Sequence, residues 1–221
     1  MGRKRTLTAA DGHVLGAYAA SPATDAIGGL VVIQEIFGVT PHIQRVVDRY
    51  AALGLEAIAP QMYDRIEPDL IVGYDDFETG RGYMRRLSWD EILADVDASI
   101  AAVSSAGRTG VIGFCWGGTV AHVVAVERPV AAAVSYYGSA IVNHLDKPPR
   151  CPIMYHFGAQ DASIPSEAIE KIERAHPSGR YFVYPEAGHG FSCEDRAGFD
   201  AAAAELAFER SAPFLSEHLA G

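Results

Sequence analysis

Residues 110–119 read GVIGFCWGGT, an apolar run that ends on a cysteine fenced by Gly113, Gly117 and Gly118. G-x-C-x-G between a strand-like run and a helical one has the form of a nucleophile elbow, with sulfur where a serine oxygen is commoner. Such a turn holds its central residue in strained backbone angles, so that the side chain stands clear of the sheet. Glycine on either side keeps strand and helix from colliding. The N–H groups and positive dipole end of the following helix point toward the sulfur and favour its charged form. The spacing fits neither of the common phosphate-binding loops, GxGxxG and GxxxxGK[ST].

Working outward, short apolar runs alternate with segments of helical period. GGLVVIQ (28–34), LEAIAP (55–60), TGVIGF (109–114), VAAAVSYYG (130–138), PIMYHFGAQD (152–161) and RYFVYP (180–185) read as strands, the continuous ones as strands buried on both faces. Two β-suited runs flank Asp11-Gly12, a pair that favours a tight hairpin. Thr40 and Pro41 occupy cap and first-turn positions before Ile43, Val46, Val47, Tyr50 and Ala51 recur at helical spacing, with Gly54 closing the pattern. Ser88 and Glu91 form a capping-box pattern that opens a helix reaching about Ser104. TVAHVVAVE and Pro165 to Ala175 read as helices, as does 199–219, where Pro213 is expected to bend or interrupt it. Residues 61–87 show no clean period and read as an excursion over the end of the sheet. This alternation predicts a mostly parallel central sheet flanked by helices on both faces, with ligands outside the carboxyl ends of the strands. With no repeat or linker, residues 1–221 are expected to form one domain.

Composition narrows the function. A net charge of −10 argues against nucleic acid or an anionic membrane as partner. No apolar run approaches a membrane span, and MGRKRTLTAADGHV lacks the apolar core of a secretory signal, so a cytoplasmic location is expected. The odd count of three cysteines, without a CxxC pair, suits free thiols. No HxxxH, HExxH or Cys/His cluster appears, and no cofactor is expected.

A thiol nucleophile is served by an imidazole that takes its proton and a carboxylate that orients the imidazole. Of eight histidines, His189 in PEAGHGF stands in a glycine-flanked loop directly after a strand. His156 lies inside an apolar run and reads as core. His122 falls on the elbow helix and His42 opens another, while His13, His144, His176 and His218 read as peripheral. Asp161 follows the PIMYHFGAQ run and is the expected orienter. The order Cys115, Asp161, His189 is the nucleophile–acid–base order of α/β-hydrolases.

With these residues assembled, the chain resembles the dienelactone hydrolase family, a cysteine-dependent branch of the α/β-hydrolases, over roughly residue 10 to the C-terminus. The marks are VVIQEIFGV (31–39), GFCWGG (113–118), SYYG (135–138), GAQD (158–161) and EAGHGF (186–191). The resemblance implies an α/β-hydrolase fold and a Cys115–Asp161–His189 triad. It gives Glu35 the role of a glutamate that contacts the resting cysteine and times its activation. The backbone N–H groups of Trp116 and Ile36 become the oxyanion hole, and Arg81 the nearest counterpart of a substrate-binding arginine, with Arg85 and Arg86 close by. Phe37, Tyr137 and Phe191 are candidate pocket walls. One departure stands out: Cys193 occupies the place, four residues after the histidine, where the family carries a second arginine for the substrate carboxylate.

The expected activity is therefore hydrolysis of small carboxylic esters or lactones through a thioester, by a monomer or small homo-oligomer. Two other readings keep the elbow: an acyltransferase in which an alcohol or amine resolves the thioester, and a redox-sensing or binding module with Cys193 as resolving thiol. Product analysis with added nucleophile separates the first. Loss of peroxide sensitivity in Cys115→Ala, without an ester burst, would mark the second.

Overall fold

The computed structural model describes residues 1–220. Their contacts cluster into two compact units, 1–110 with the end of the last helix, and 111–218.

In the first unit, β1 (Arg3–Thr8) and β2 (Val14–Ala20) pair antiparallel, β2 pairs antiparallel with β4 (Leu55–Pro60), and β3 (Gly28–Ile33) runs parallel to β4, giving the order β1-β2-β4-β3. All six residues of β3 are buried, as its unbroken apolar run requires, whereas β1 keeps most of its residues at the surface. The hairpin connection is longer than a two-residue turn. Thr8 pairs with Val14, and residues 9–13 close on themselves through Ala9 N–H to His13 O and Gly12 N–H to Ala9 O.

Helix α1 (Pro41–Ala52) joins β3 to β4, which run parallel. It starts as its sequence demands: the Thr40 hydroxyl accepts from Ile43 N–H, and Pro41 sits where no amide hydrogen is needed. Residues 61–87 hold a 3-10 turn (Met62–Arg65) and a helix, α2 (Phe77–Arg86), that hydrophobic period does not reveal. FETGRGYMRR buries only Gly80 and has no apolar stripe; its start is set by Asp76, which accepts from Thr79 N–H. Arg65 fixes the 3-10 turn, gripping buried Asp95 through two nitrogens at 2.9 and 2.7 Å and Asp11 through a third at 2.8 Å. Asp95 lies on α3 (Trp89–Val103), which opens with the full Ser88–Glu91 capping box.

The second unit is all parallel. β5 (Thr109–Phe114), β6 (Ala133–Tyr136), β7 (Ile153–Gly158) and β8 (Arg180–Tyr184) pair in that order. α4 (Trp116–Glu127) joins β5 to β6, and α5 (Ser166–Ala175) joins β7 to β8. The last helix, α6 (Ala201–Leu219), carries Pro213 inside it and runs on without a break.

A polar chain with one consistent direction runs through this unit's core. The Ser211 hydroxyl donates to Ala207 O at 2.8 Å, so its oxygen accepts from the Tyr136 hydroxyl and from His156 Nε2, each at 2.9 Å. His156 Nδ1 is then the acceptor and takes the Tyr184 hydroxyl proton at 2.8 Å, while Tyr184 accepts from Arg210. His156 is thus satisfied as a neutral ring in the core, in agreement with its place in an apolar run. His122 is held likewise, its Nε2 donating to His144 O at 3.0 Å and its Nδ1 accepting from Tyr155 at 2.9 Å. His176, expected at the surface, is buried with its ring 5.2 Å from that of His122.

Burial lowers His122 to a pKa of about 4 and His156 to about 3. Both lie below the unfolded value of about 6.5, so the stability tied to their neutral forms is present above pH 6.5 and is lost as pH falls toward 4. His189, raised by its site as described below, contributes in the opposite sense, fully below pH 6.5 and fading as pH rises through 10. Between pH 7 and 5 the two buried rings are expected to cost about 4 kcal/mol of stability. Denaturant unfolding at the two pH values reads this. An unchanged midpoint, or His122 and His156 NMR signals that titrate near 6.5, would contradict the burial.

Candidate active site

Each sequence-derived member of the triad stands just past the carboxyl end of a strand. Cys115 follows β5 at φ 56° and ψ −118°, a conformation that costs an L residue of order 1–3 kcal/mol, and it remains partly open to solvent. The turn is held from both sides. Its N–H donates to Tyr136 O at 3.0 Å, and its carbonyl accepts from Gly118 N–H at 2.9 Å. A Cβ on Gly113 would run into the Gly117 carbonyl, and one on Gly118 into the Tyr136 carbonyl. Glycine here is a matter of room: strand, helix and the end of β6 converge on the same few ångströms.

Asp161 and His189 are brought together by the way their loops are stitched. Gln160 N–H donates to Ala187 O and the Gln160 side chain to Pro185 O, both at 2.9 Å, so the segments after β7 and β8 advance in register. Buried Asp161 uses one carboxylate oxygen to accept from Ser163 N–H at 2.8 Å and the other to accept from His189 Nδ1 at 2.6 Å. That fixes the tautomer and turns Nε2 toward the sulfur of Cys115, 3.0 Å away. Burial works against a charged His189, but the negative charge of Cys115 and the Asp161 carboxylate outweigh it and raise the imidazole to about 10. The proton shared between sulfur and imidazole is thus drawn toward Nε2.

Trp116 is the first residue of α4 and is buried. Tyr137 and Phe191 are fully buried, their ring centroids 5.3 Å apart at 71°. Tyr137 also lies edge-on to the His189 ring and bonds Ser192, a residue that nothing in the sequence singles out. Cys193 is buried in the same loop.

The remaining candidates lie in the first unit. Glu35 is buried directly after β3, in a turn bridged to Gly38. Ile36 in that turn is buried, its carbonyl accepting from Tyr63 OH at 3.0 Å. Phe37 is fully buried, edge-on to Tyr74 and Phe77. Arg81 lies on α2, half exposed and 3.1 Å from Glu78 one turn away. Among the described residues no group of three or more His, Cys, Asp or Glu side chains is placed to hold a metal ion, and no helix is long and apolar enough to cross a membrane.

The profile described as the dienelactone hydrolase family matches residues 15–219, nearly the whole chain. The chain belongs to the dienelactone hydrolase family. The carboxymethylenebutenolidase of Pseudomonas putida is 33% identical over 218 residues, covering 93% of this chain and 92% of that one. A Synechocystis protein assigned to the same activity is 37% identical over 202 residues, 82% of each chain. A crystal structure from Klebsiella pneumoniae, assigned as a dienelactone hydrolase, superimposes with a TM-score of 0.84 at 28% identity, covering 97% of this chain and 99% of that one. The fold is accordingly the α/β-hydrolase fold in its dienelactone hydrolase form, with eight strands and six α-helices among the described residues, and the protein is a hydrolase of this family.

Proposed function

We propose that this hydrolase cleaves small carboxylic esters or lactones through a Cys115–His189–Asp161 triad. The Cys115 sulfur attacks the substrate carbonyl carbon as its proton passes to His189 Nε2. The tetrahedral intermediate collapses with breakage of the carbon–oxygen bond, and the proton on His189 goes to the departing alkoxide. A thioester remains. His189 then takes a proton from water, whose oxygen attacks the thioester, and the acid leaves as sulfur regains its proton. Asp161 keeps Nδ1 protonated and steadies the imidazolium formed at each step.

The observation that carries this reading is the unbroken line from carboxylate through imidazole to sulfur, at 2.6 and 3.0 Å, at the strand ends of one compact unit. The N–H of Trp116, next after the nucleophile, is one donor to the developing oxyanion. For Glu35 as the group that times cysteine activation, Ile36 as second oxyanion donor and Arg81 as substrate contact, the support is the family resemblance. Phe37, Tyr137 and Phe191 stand as pocket walls on aromatic character alone, and each is fully buried, as a core residue equally would be. The family match runs through both units, which favours one hydrolase domain.

The test is a panel of p-nitrophenyl esters and unsaturated lactones, with and without a carboxylate, on wild type and Cys115→Ser. Turnover of the panel, lost or slowed by orders of magnitude in Cys115→Ser, is expected. Equal kcat/KM for carboxylated lactones and neutral esters would remove the carboxylate from the substrate definition. Turnover undiminished in Cys115→Ser would remove the triad.

A further inference from the structure

Tyr137 is one of only three described non-glycine residues with positive φ, at 38°, and is completely buried. Nothing in β6 itself requires that conformation, yet its surroundings hold it firmly. The Tyr137 N–H donates to His156 O at 2.8 Å, extending the β6–β7 pairing by one residue. The next residue, Gly138, lies so close to Gly118 that a Cβ there would stand 2.8 Å from the Gly118 carbonyl carbon. The elbow helix and the Tyr137 turn are therefore packed as one piece. A buried residue kept in a sparsely populated conformation is the kind that sites retain for what its side chain does.

That side chain reaches three residues of a single loop. The Tyr137 ring centroid is 5.1 Å from the His189 ring at 61°, and 5.3 Å from Phe191 at 71°. Its hydroxyl shares a hydrogen bond of 2.7 Å with the Ser192 hydroxyl. Asp161 and Cys115 grip the imidazole at opposite edges, through Nδ1 and Nε2, and so define an axis. Two such bonds leave the ring free to rock about that axis. During turnover Nε2 must serve sulfur, the leaving oxygen and water in succession, and a rocking ring would miss some of these.

We infer that Tyr137 is a positioning residue: its ring sets the plane of the His189 imidazole, and its hydroxyl, through Ser192, anchors the loop that delivers that imidazole. The inference rests on His189 being the base. A rocking ring would loosen the Asp161 and Cys115 contacts that raise the imidazole, so loss of Tyr137 should lower the His189 midpoint.

Tyr137→Phe, Ser192→Ala, the double variant and Tyr137→Leu would be compared on p-nitrophenyl acetate, with His189 followed by NMR titration and each fold checked by thermal melting. Tyr137→Phe and Ser192→Ala are each expected to lower kcat about fivefold with KM little changed, and the double variant to be no slower than either. Tyr137→Leu is expected to lower kcat by about 10²-fold and to move the His189 midpoint downward. Multiplying effects in the double variant, changes confined to KM, or a His189 midpoint unmoved in Tyr137→Leu would overturn the inference. Cys115→Ala is run alongside. If it still turns over, the triad reading fails, while the His189 titration continues to decide the role of Tyr137.

Discussion

Cys115→Ala and His189→Ala are each expected to lose about 10⁴-fold or more in kcat toward a p-nitrophenyl ester, and the double variant to lose no more than either alone. Sulfur and imidazole act as one unit, so removing one idles the other. The residual rate is what binding and backbone donors supply. The backbone at position 115 adds a second reading. Because φ is 56°, alanine inherits the strain of cysteine and glycine escapes it, so Cys115→Gly should melt above Cys115→Ala by the few degrees that about 1 kcal/mol confers. A Cys115→Ala enzyme keeping more than a hundredth of its activity would defeat the mechanism. Equal melting of the two variants would defeat the strained elbow.

Gly113→Ala should be damaging for a different reason. The added methyl group would fall inside the Gly117 carbonyl, where neither β5 nor α4 is a flexible side chain able to step aside. Either the elbow opens, taking sulfur out of reach of Nε2, or the fold pays for the overlap; a loss of about 3 kcal/mol or more, with activity falling alongside, is expected. Gly82→Ala is the matched control. A Cβ there meets nothing within 4 Å, and it stands inside α2, where alanine is the better helix former by about 1 kcal/mol. Gly82→Ala should hold or raise stability. If Gly113→Ala behaved like Gly82→Ala, the account of the turn would be wrong.

The parts of this fold that announce themselves in sequence are those governed by neighbours along the chain. GGLVVI and PIMYHFG are buried at every residue from Gly28 to Ile33 and from Ile153 to Gly158. Thr40-Pro41 and Ser88–Glu91 cap helices because capping is a bond across three residues. The three residues of the proposed triad were legible as polar groups at strand ends in hydrolase order. What escaped depends on partners far away in sequence. α2 carries no apolar stripe and is started by a side-chain cap. His176 sits in the polar run RAHPSG and looks external, yet tertiary packing seals it against His122. Ser192 gains its role from a tyrosine 55 positions earlier. The five-residue hairpin connection likewise follows from hydrogen bonds that the Asp11-Gly12 pair does not disclose.

β5, β6, β7 and β8 are four adjacent parallel strands, and the segments leaving them carry, in turn, Cys115, Tyr137, Asp161 and His189. Each chemical task thus rides on its own connection, while the ladders beneath are shared. The connections also hold one another, Gln160 to Ala187 and Pro185, and Tyr137 to Ser192, so a change in one segment has to keep the bonds it makes to its neighbours. In the segment between Tyr137 and β7, Gly138 packs on Gly118 and Ala140 N–H donates to the Thr119 hydroxyl, so the exposed residues 146–148 are where length can be added with least disturbance to the reacting groups.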